Sequence, residues 1–139
     1  MALKVLGMMH TGLRIGPGDA DMQKAEWFYG DLLGLSNDEK RPNIPGIPGF
    51  WAELPGQKPA QQIHIMGAEG QSPVARSDKQ DPTRMHIALL VEDIEEARAE
   101  LTRQGVEFWV YESLVGRNSD QVFFEDPFGN MFELQQPPK

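Results

Sequence analysis

The sequence predicts an α+β chain built twice on one β-α-β-β-β plan. Two observations carry that prediction. Apolar residues alternate with a period of two over several short runs and recur at helical spacing over only two. The two halves also repeat one order of motifs. His10-x-x-Leu13-x-Ile15 is matched by His86-x-x-Leu89-x-Val91, and Asp21-x-x-x-Ala25 by Asp93-x-x-x-Ala97. Each helical run ends at a glycine, and Phe50-Trp51 is echoed by Phe108-Trp109. A length of 139 residues suits one domain with a core of its own.

Taken in order, Val5–Ile15 alternates as a strand and stops at Gly16-Pro17-Gly18. Asp21–Leu33 reads as a helix with Met22, Ala25, Phe28 and Leu32 toward one face and Gly34 as its stop. Phe28 and Tyr29 are assigned to packing. A Pro-rich stretch runs from Asn37 to Gly49. Gly49–Leu54 and Gln61–Met66 follow as strands joined through Pro55-Gly56. Gly67–Thr83 is polar and aperiodic, as expected of a linker. Met85–Val91 is the next strand. Asp93–Gln104 is a helix with Asp93 as cap, Glu96 three residues on, and a buried stripe of Ile94, Ala97 and Leu101 before Gly105. Val106–Tyr111, Gln121–Glu125 and Met131–Gln135 complete the strands, the last two joined by the reversal Asp126–Asn130. This divides one domain, 1–139, into a module at about 4–67, a linker at about 68–83 and a module at about 84–137.

Composition removes several function classes. Zero cysteine excludes disulfide scaffolds, thiolate metal sites and cysteine nucleophiles. Thirteen Lys+Arg against 21 Asp+Glu give a net charge of −8, and the scattered basic residues form no stripe for nucleic acid. No apolar run reaches the length of a membrane span. His10 and Arg14 follow the mildly apolar start without a small-residue cleavage site, so a soluble, cytoplasmic protein is expected.

Side chains two apart on a strand share a face. By that rule His10 opposes Leu13 and Ile15, His64 opposes Ile63 and Ile65, and His86 opposes Ile87, Leu89 and Val91. Glu133 likewise opposes Phe132 and Leu134. In four strands the apolar side can lie under the helices, with a His or Glu on the other. His10 and His86 are repeat-equivalent, and His64 and Glu133 lie on the last strand of each half. Pseudo-twofold symmetry would bring all four together if the sheets face one another. Imidazole and carboxylate donors suit Fe, Ni, Co, Mn or Zn, and two His with one carboxylate is the non-haem iron set.

Four segments resemble the vicinal oxygen chelate superfamily, which includes glyoxalase I, extradiol dioxygenases, fosfomycin-resistance proteins and bleomycin-binding proteins. They are His10-Thr-Gly-Leu-Arg14-Ile15, Trp27-Phe-Tyr-Gly-Asp-Leu-Leu-Gly-Leu35, Met85-His-Ile-Ala-Leu-Leu-Val-Glu-Asp93 and Phe123-Phe-Glu-Asp-Pro-Phe-Gly-Asn-Met-Phe-Glu133-Leu134. The resemblance implies two βαβββ modules whose mixed sheet curls into a cup around one divalent ion, the glyoxalase/dioxygenase fold. It places the ligands at His10, His64, His86 and Glu133. A homodimer is expected, because a cup of this size exposes sheet edges.

Glyoxalase I is similar around the first strand, where the position of Arg14 implies a contact to a glutathione carboxylate. The sequence departs from it at His64, where bacterial glyoxalase I has a glutamate, and at Ala68, where a polar glutathione contact is expected. Glutathione is therefore a candidate co-substrate only. A glyoxalase-like reaction implies a lyase or isomerase acting on a small molecule with adjacent oxygens through a metal-stabilised enediolate, with Glu133 abstracting a carbon-bound proton. An epimerase working α to a carbonyl would use the same parts. The alternatives are an Fe(II) ring-cleaving dioxygenase using His10, His86 and Glu133, and a binding protein of the resistance type. Trp51, Tyr111, Arg117 and Phe124 join Arg14 as expected substrate contacts.

Overall fold

β-branched and aromatic runs become strands where one side is apolar, and the capped amphipathic runs become helices. The computed structural model describes residues 2–116 and 119–137. It has eight strands: β1 (Val5–Ile15), β2 (Ser36–Asn37), β3 (Gly49–Glu53), β4 (Gln62–Gly67), β5 (His86–Val91), β6 (Phe108–Glu112), β7 (Asp120–Glu125) and β8 (Met131–Gln135). Helix α1 covers Asp19–Ala25 and continues as a π-helix over Glu26–Leu32; helix α2 covers Ile94–Arg103. The fold is α+β, with both parallel and antiparallel strand pairs, as the sequence predicts. No helix among the described residues is long and apolar enough to cross a membrane.

The chain divides into two compact units, one of Met1–Met9 with His86–Lys139 and the other of His10–Met85. The first unit has the strand order β5-β8-β7-β6. β5 runs parallel to β8, while β8, β7 and β6 are antiparallel neighbours. Asp93 caps α2 by accepting from the backbone N–H groups of Glu95 and Glu96, at 2.9 and 3.1 Å. The helix lays Ile94, Ala97 and Leu101 on Val91, Val122 and Leu134, with Leu89, Val110 and Phe124 around them. Each large aliphatic side chain so buried stabilises the unit by about 1.5–3 kcal/mol. Gly105, at φ 73°, ends the helix in the left-handed region.

The second unit repeats the order as β1-β4-β3-β2, with β1 parallel to β4 and the rest antiparallel. Its apolar core is made of Ala25, Ile47, Ala52, Ile65 and Ala68. Three features differ from the sequence reading. The helix expected over Asp21–Leu33 starts earlier, at Asp19, and changes to π geometry at Glu26. Widening to i→i+5 bonds rotates the later residues out of the 3.6 phase. Phe28 and Leu32, expected on the buried face, are 42% and 56% exposed. Ser36–Asn37 forms a short strand against Ala52 and Glu53 at the start of the Pro-rich stretch. Residues 68–83 contain a buried polar cluster of Ser72, Asp81 and Thr83, and so are more than a solvated linker.

Candidate metal centre

In the first unit, alternation places His86 on β5, Met131, Glu133 and Gln135 on β8, Gln121 and Phe123 on β7, and Trp109 and Tyr111 on β6 on one face. The ladder pairs Ala88 with Glu133, Glu133 with Phe123 and Phe123 with Trp109. Glu133 is 0% exposed, and a buried carboxylate needs compensating partners. One is His86, whose Nε2 lies 3.0 Å from Glu133 Oε1. The others are amides. Gln121 Nε2 donates to Glu133 Oε2 at 3.2 Å, and Gln135 Nε2 donates to the same oxygen. The ring of Phe123 meets His86 edge-on at 5.8 Å, and Tyr111 meets Phe123 at 6.0 Å.

In the second unit, the same parity puts His10 and Arg14 on β1, Gln62 and His64 on β4, and Trp51 and Glu53 on β3 on one face. His10 stacks on His64 with 3.6 Å between ring centroids, and Trp51 stacks on His64 at 4.4 Å. Gln62 Oε1 lies 2.8 Å from His64 Nε2. The Gln62 amide nitrogen donates to Asp38 at 2.9 Å and reaches Glu53 at 3.5 Å. Two carboxylates therefore fix which end of the amide faces the imidazole, and Gln62 Oε1 accepts a hydrogen bond from His64 Nε2.

Arg14 is tied into the segment that follows β4. Its Nε donates to the Thr83 carbonyl at 3.1 Å, and its Nη2 to Thr83 Oγ1 at 2.7 Å, the Gly70 carbonyl and Asp81 at 3.3 Å. Asp81, 2% exposed, also accepts from the backbone and hydroxyl groups of Ser72 and Thr83. Burial pushes the Asp81 carboxyl up, but the combined hydrogen bonds from Ser72 and Thr83 outweigh it and hold it below its ordinary value.

The expected donors are thus divided: His86 and Glu133 meet in one unit, His10 and His64 in the other. Trp51 is half-buried against His64, and Tyr111 is buried against Phe123. Phe124 packs with the core beneath α2 and with Phe132, so Phe123 is the aromatic residue on the Glu133 face. Arg117 lies outside the described residues. Gln62, Gln121 and Gln135 were not anticipated. The signal for them is simple parity, since each stands two residues from His64, Phe123 or Glu133 on the same strand face.

The family model described as the Glyoxalase/Bleomycin resistance protein/Dioxygenase superfamily matches residues 13–134. Among solved structures, methylmalonyl-CoA epimerase from Mycobacterium tuberculosis is similar with a TM-score of 0.72 and 27% identity, over 100% of this chain and 93% of that one. A selenomethionine methylmalonyl-CoA epimerase follows at 0.71 and 22%, covering 100% and 99%. A Streptomyces coelicolor methylmalonyl-CoA epimerase in complex with 2-nitronate-propionyl-CoA has a TM-score of 0.68 at 17% identity, covering 99% and 100%. At the latter two identities the likeness establishes the fold. No curated protein matches the chain. The chain belongs to the Glyoxalase/Bleomycin resistance protein/Dioxygenase superfamily.

Proposed function

We propose that this member of the Glyoxalase/Bleomycin resistance protein/Dioxygenase superfamily is a divalent-metal-dependent isomerase that moves a proton at a carbon next to a carbonyl, in a small molecule with adjacent oxygens. The observation that carries the proposal is the Glu133 carboxylate, fully buried, beside His86 and held by two amides. We assign metal ligation to His86 and Glu133, with His10 as the further ligand that the family resemblance implies, each of them buried. This donor set fits a divalent transition metal, with two neutral nitrogens and one anionic oxygen. Gln62 engages His64 at Nε2, so any ligation by His64 would use Nδ1. When bound, the metal would act as a Lewis acid toward the substrate's adjacent oxygens.

The remaining chemistry belongs to the side chains. Glu133 is the base that accepts the carbon-bound proton, and it does so at Oε1, the oxygen turned toward His86, only while that oxygen is not engaged by the metal. It then returns the proton to complete the isomerisation. Trp51 and Tyr111 contribute aromatic surface to the substrate site. Arg14, bonded to Asp81 and Thr83, braces the end of β1. The similarity to methylmalonyl-CoA epimerases favours proton transfer next to a thioester or carboxylate carbonyl and makes methylmalonyl-CoA the first substrate to test. A glutathione hemithioacetal is the second. We also propose a homodimer, which would cover apolar side chains such as Leu6 and Met8, 56% and 49% exposed.

The test follows deuterium entry at the substrate carbon in D2O by proton NMR. Exchange is expected only with metal, with loss on chelation and a fall of at least about 100-fold in Glu133→Gln. Absence of exchange with both substrates would overturn the isomerase reading. One specific feature favours a second reading: two His with one carboxylate is also the donor set of Fe(II) oxygenases. Oxygen uptake with catechols by the iron-loaded protein would select that ring-cleaving reaction. Substrate binding without turnover would select the binding role.

A further inference from the structure

The two oxygens of Glu133 stand in different surroundings, although a carboxylate is chemically symmetric. Oε2 receives both amides, Gln121 from the neighbouring strand β7 and Gln135 from two residues along β8. Oε1 is the oxygen 3.0 Å from His86 Nε2. Gln121 is 5% exposed, Gln135 9% and Glu133 0%, so this arrangement is screened from water. An ionised carboxylate only accepts, and an amide can meet it only through nitrogen. The orientation also leaves Gln121 Oε1 buried and without a hydrogen-bond partner among the described residues. Such a group costs free energy. Turning the amide over would aim that oxygen at the carboxylate, which is worse, so the orientation is set by Glu133.

From this arrangement we infer that Gln121 and Gln135 are positioning residues that occupy Glu133 Oε2 and present Oε1 alone to the metal, making Glu133 a one-oxygen ligand. The inference rests on the metal assignment proposed above and adds which oxygen serves it and what selects that oxygen. The two glutamines are not ligands themselves. They act through Glu133, as outer partners of metal-bound carboxylates do.

The test titrates cobalt(II) chloride into metal-free full-length protein and into Gln121→Met and Gln135→Met, which keep side-chain length and remove the donor. Each variant frees Oε2 partly, so cobalt affinity should fall by roughly 10- to 100-fold. The visible cobalt bands should also weaken as the second oxygen enters the coordination sphere. Thermal melting of the metal-free proteins identifies variants that have lost the fold. If a methionine variant does not fold, Gln121→Asn, an amide one methylene too short, takes its place and should show the same changes in smaller measure. Wild-type affinity and wild-type bands in folded variants would overturn the positioning role while leaving the metal assignment intact. A wild-type protein that takes up no cobalt would overturn the metal assignment itself, and the positioning role with it.

Discussion

His64 and Glu133 occupy the same place in their repeats, yet the two units hold them by different means. His64 pairs across the parallel ladder with Gly12, two residues after His10; Glu133 pairs with Ala88, two residues after His86. In the Glu133 unit, a helix with three buried apolar residues covers the opposite sheet face, and two glutamine amides stabilise the carboxylate. In the His64 unit, the α1 helix buries only Ala25 among the described residues, and aromatic stacking with a Gln62–Asp38 contact holds the imidazole. That unit also relies on the Arg14–Asp81–Thr83 cluster. The comparison teaches that one strand register supports two chemistries when the partners beside the key residue change. A charged donor needs hydrogen-bond donors around it, whereas a neutral ring can be held by surface contact.

The largest effect expected from breaking this contrast is at Glu133. Glu133→Gln removes the anionic donor, and metal affinity should fall by more than about 100-fold, the upper end for residues that only orient a ligand. Isothermal titration of the metal-free protein measures it. Next comes Asp81. Asp81→Ala leaves Arg14 and the Ser72 and Thr83 donors without their shared acceptor, and should cost about 3 kcal/mol in chemical denaturation. The same group sets a pH dependence. Its folded pKa lies below the unfolded value, so its stabilisation is present above about pH 4 and is lost as pH falls through the folded pKa. Asp81→Asn should flatten that acid limb in a series of melts.

Smaller effects separate the units further. Asp93→Ala removes the N-cap of α2 and should cost about 1 kcal/mol, seen in denaturation. Trp51→Leu keeps most apolar surface but removes the stack on His64, and should cost about 0.5–1 kcal/mol. Its stronger signature is a shift of the His64 ring resonances in NMR.

Much of this was legible in the sequence, for a physical reason. Period-two alternation put His10, His64, His86 and Glu133 opposite the apolar face, and the ladders preserve that parity. The α2 cap was equally plain, because Asp before an apolar stripe has one strong use. The π-turn was not, since nothing in Glu26–Leu32 distinguishes i→i+5 from i→i+4 bonding until the tertiary fold is present. Buried Asp81 was hidden for a similar reason. Ser, Asp and Thr in an aperiodic segment look solvated until Arg14, far away in the chain, supplies the counter-charge. Phe124, an expected substrate contact, packs beneath α2 instead, because parity assigns the Glu133 face to Phe123.

The most direct measurement is metal stoichiometry of the purified chain by inductively coupled plasma mass spectrometry, after loading and desalting, for wild type, His86→Ala and Glu133→Gln. The account predicts about one divalent transition-metal ion per wild-type chain and near none in either variant, with the circular dichroism of all three alike. Equal metal in the folded variants, or none in the wild type, would contradict it.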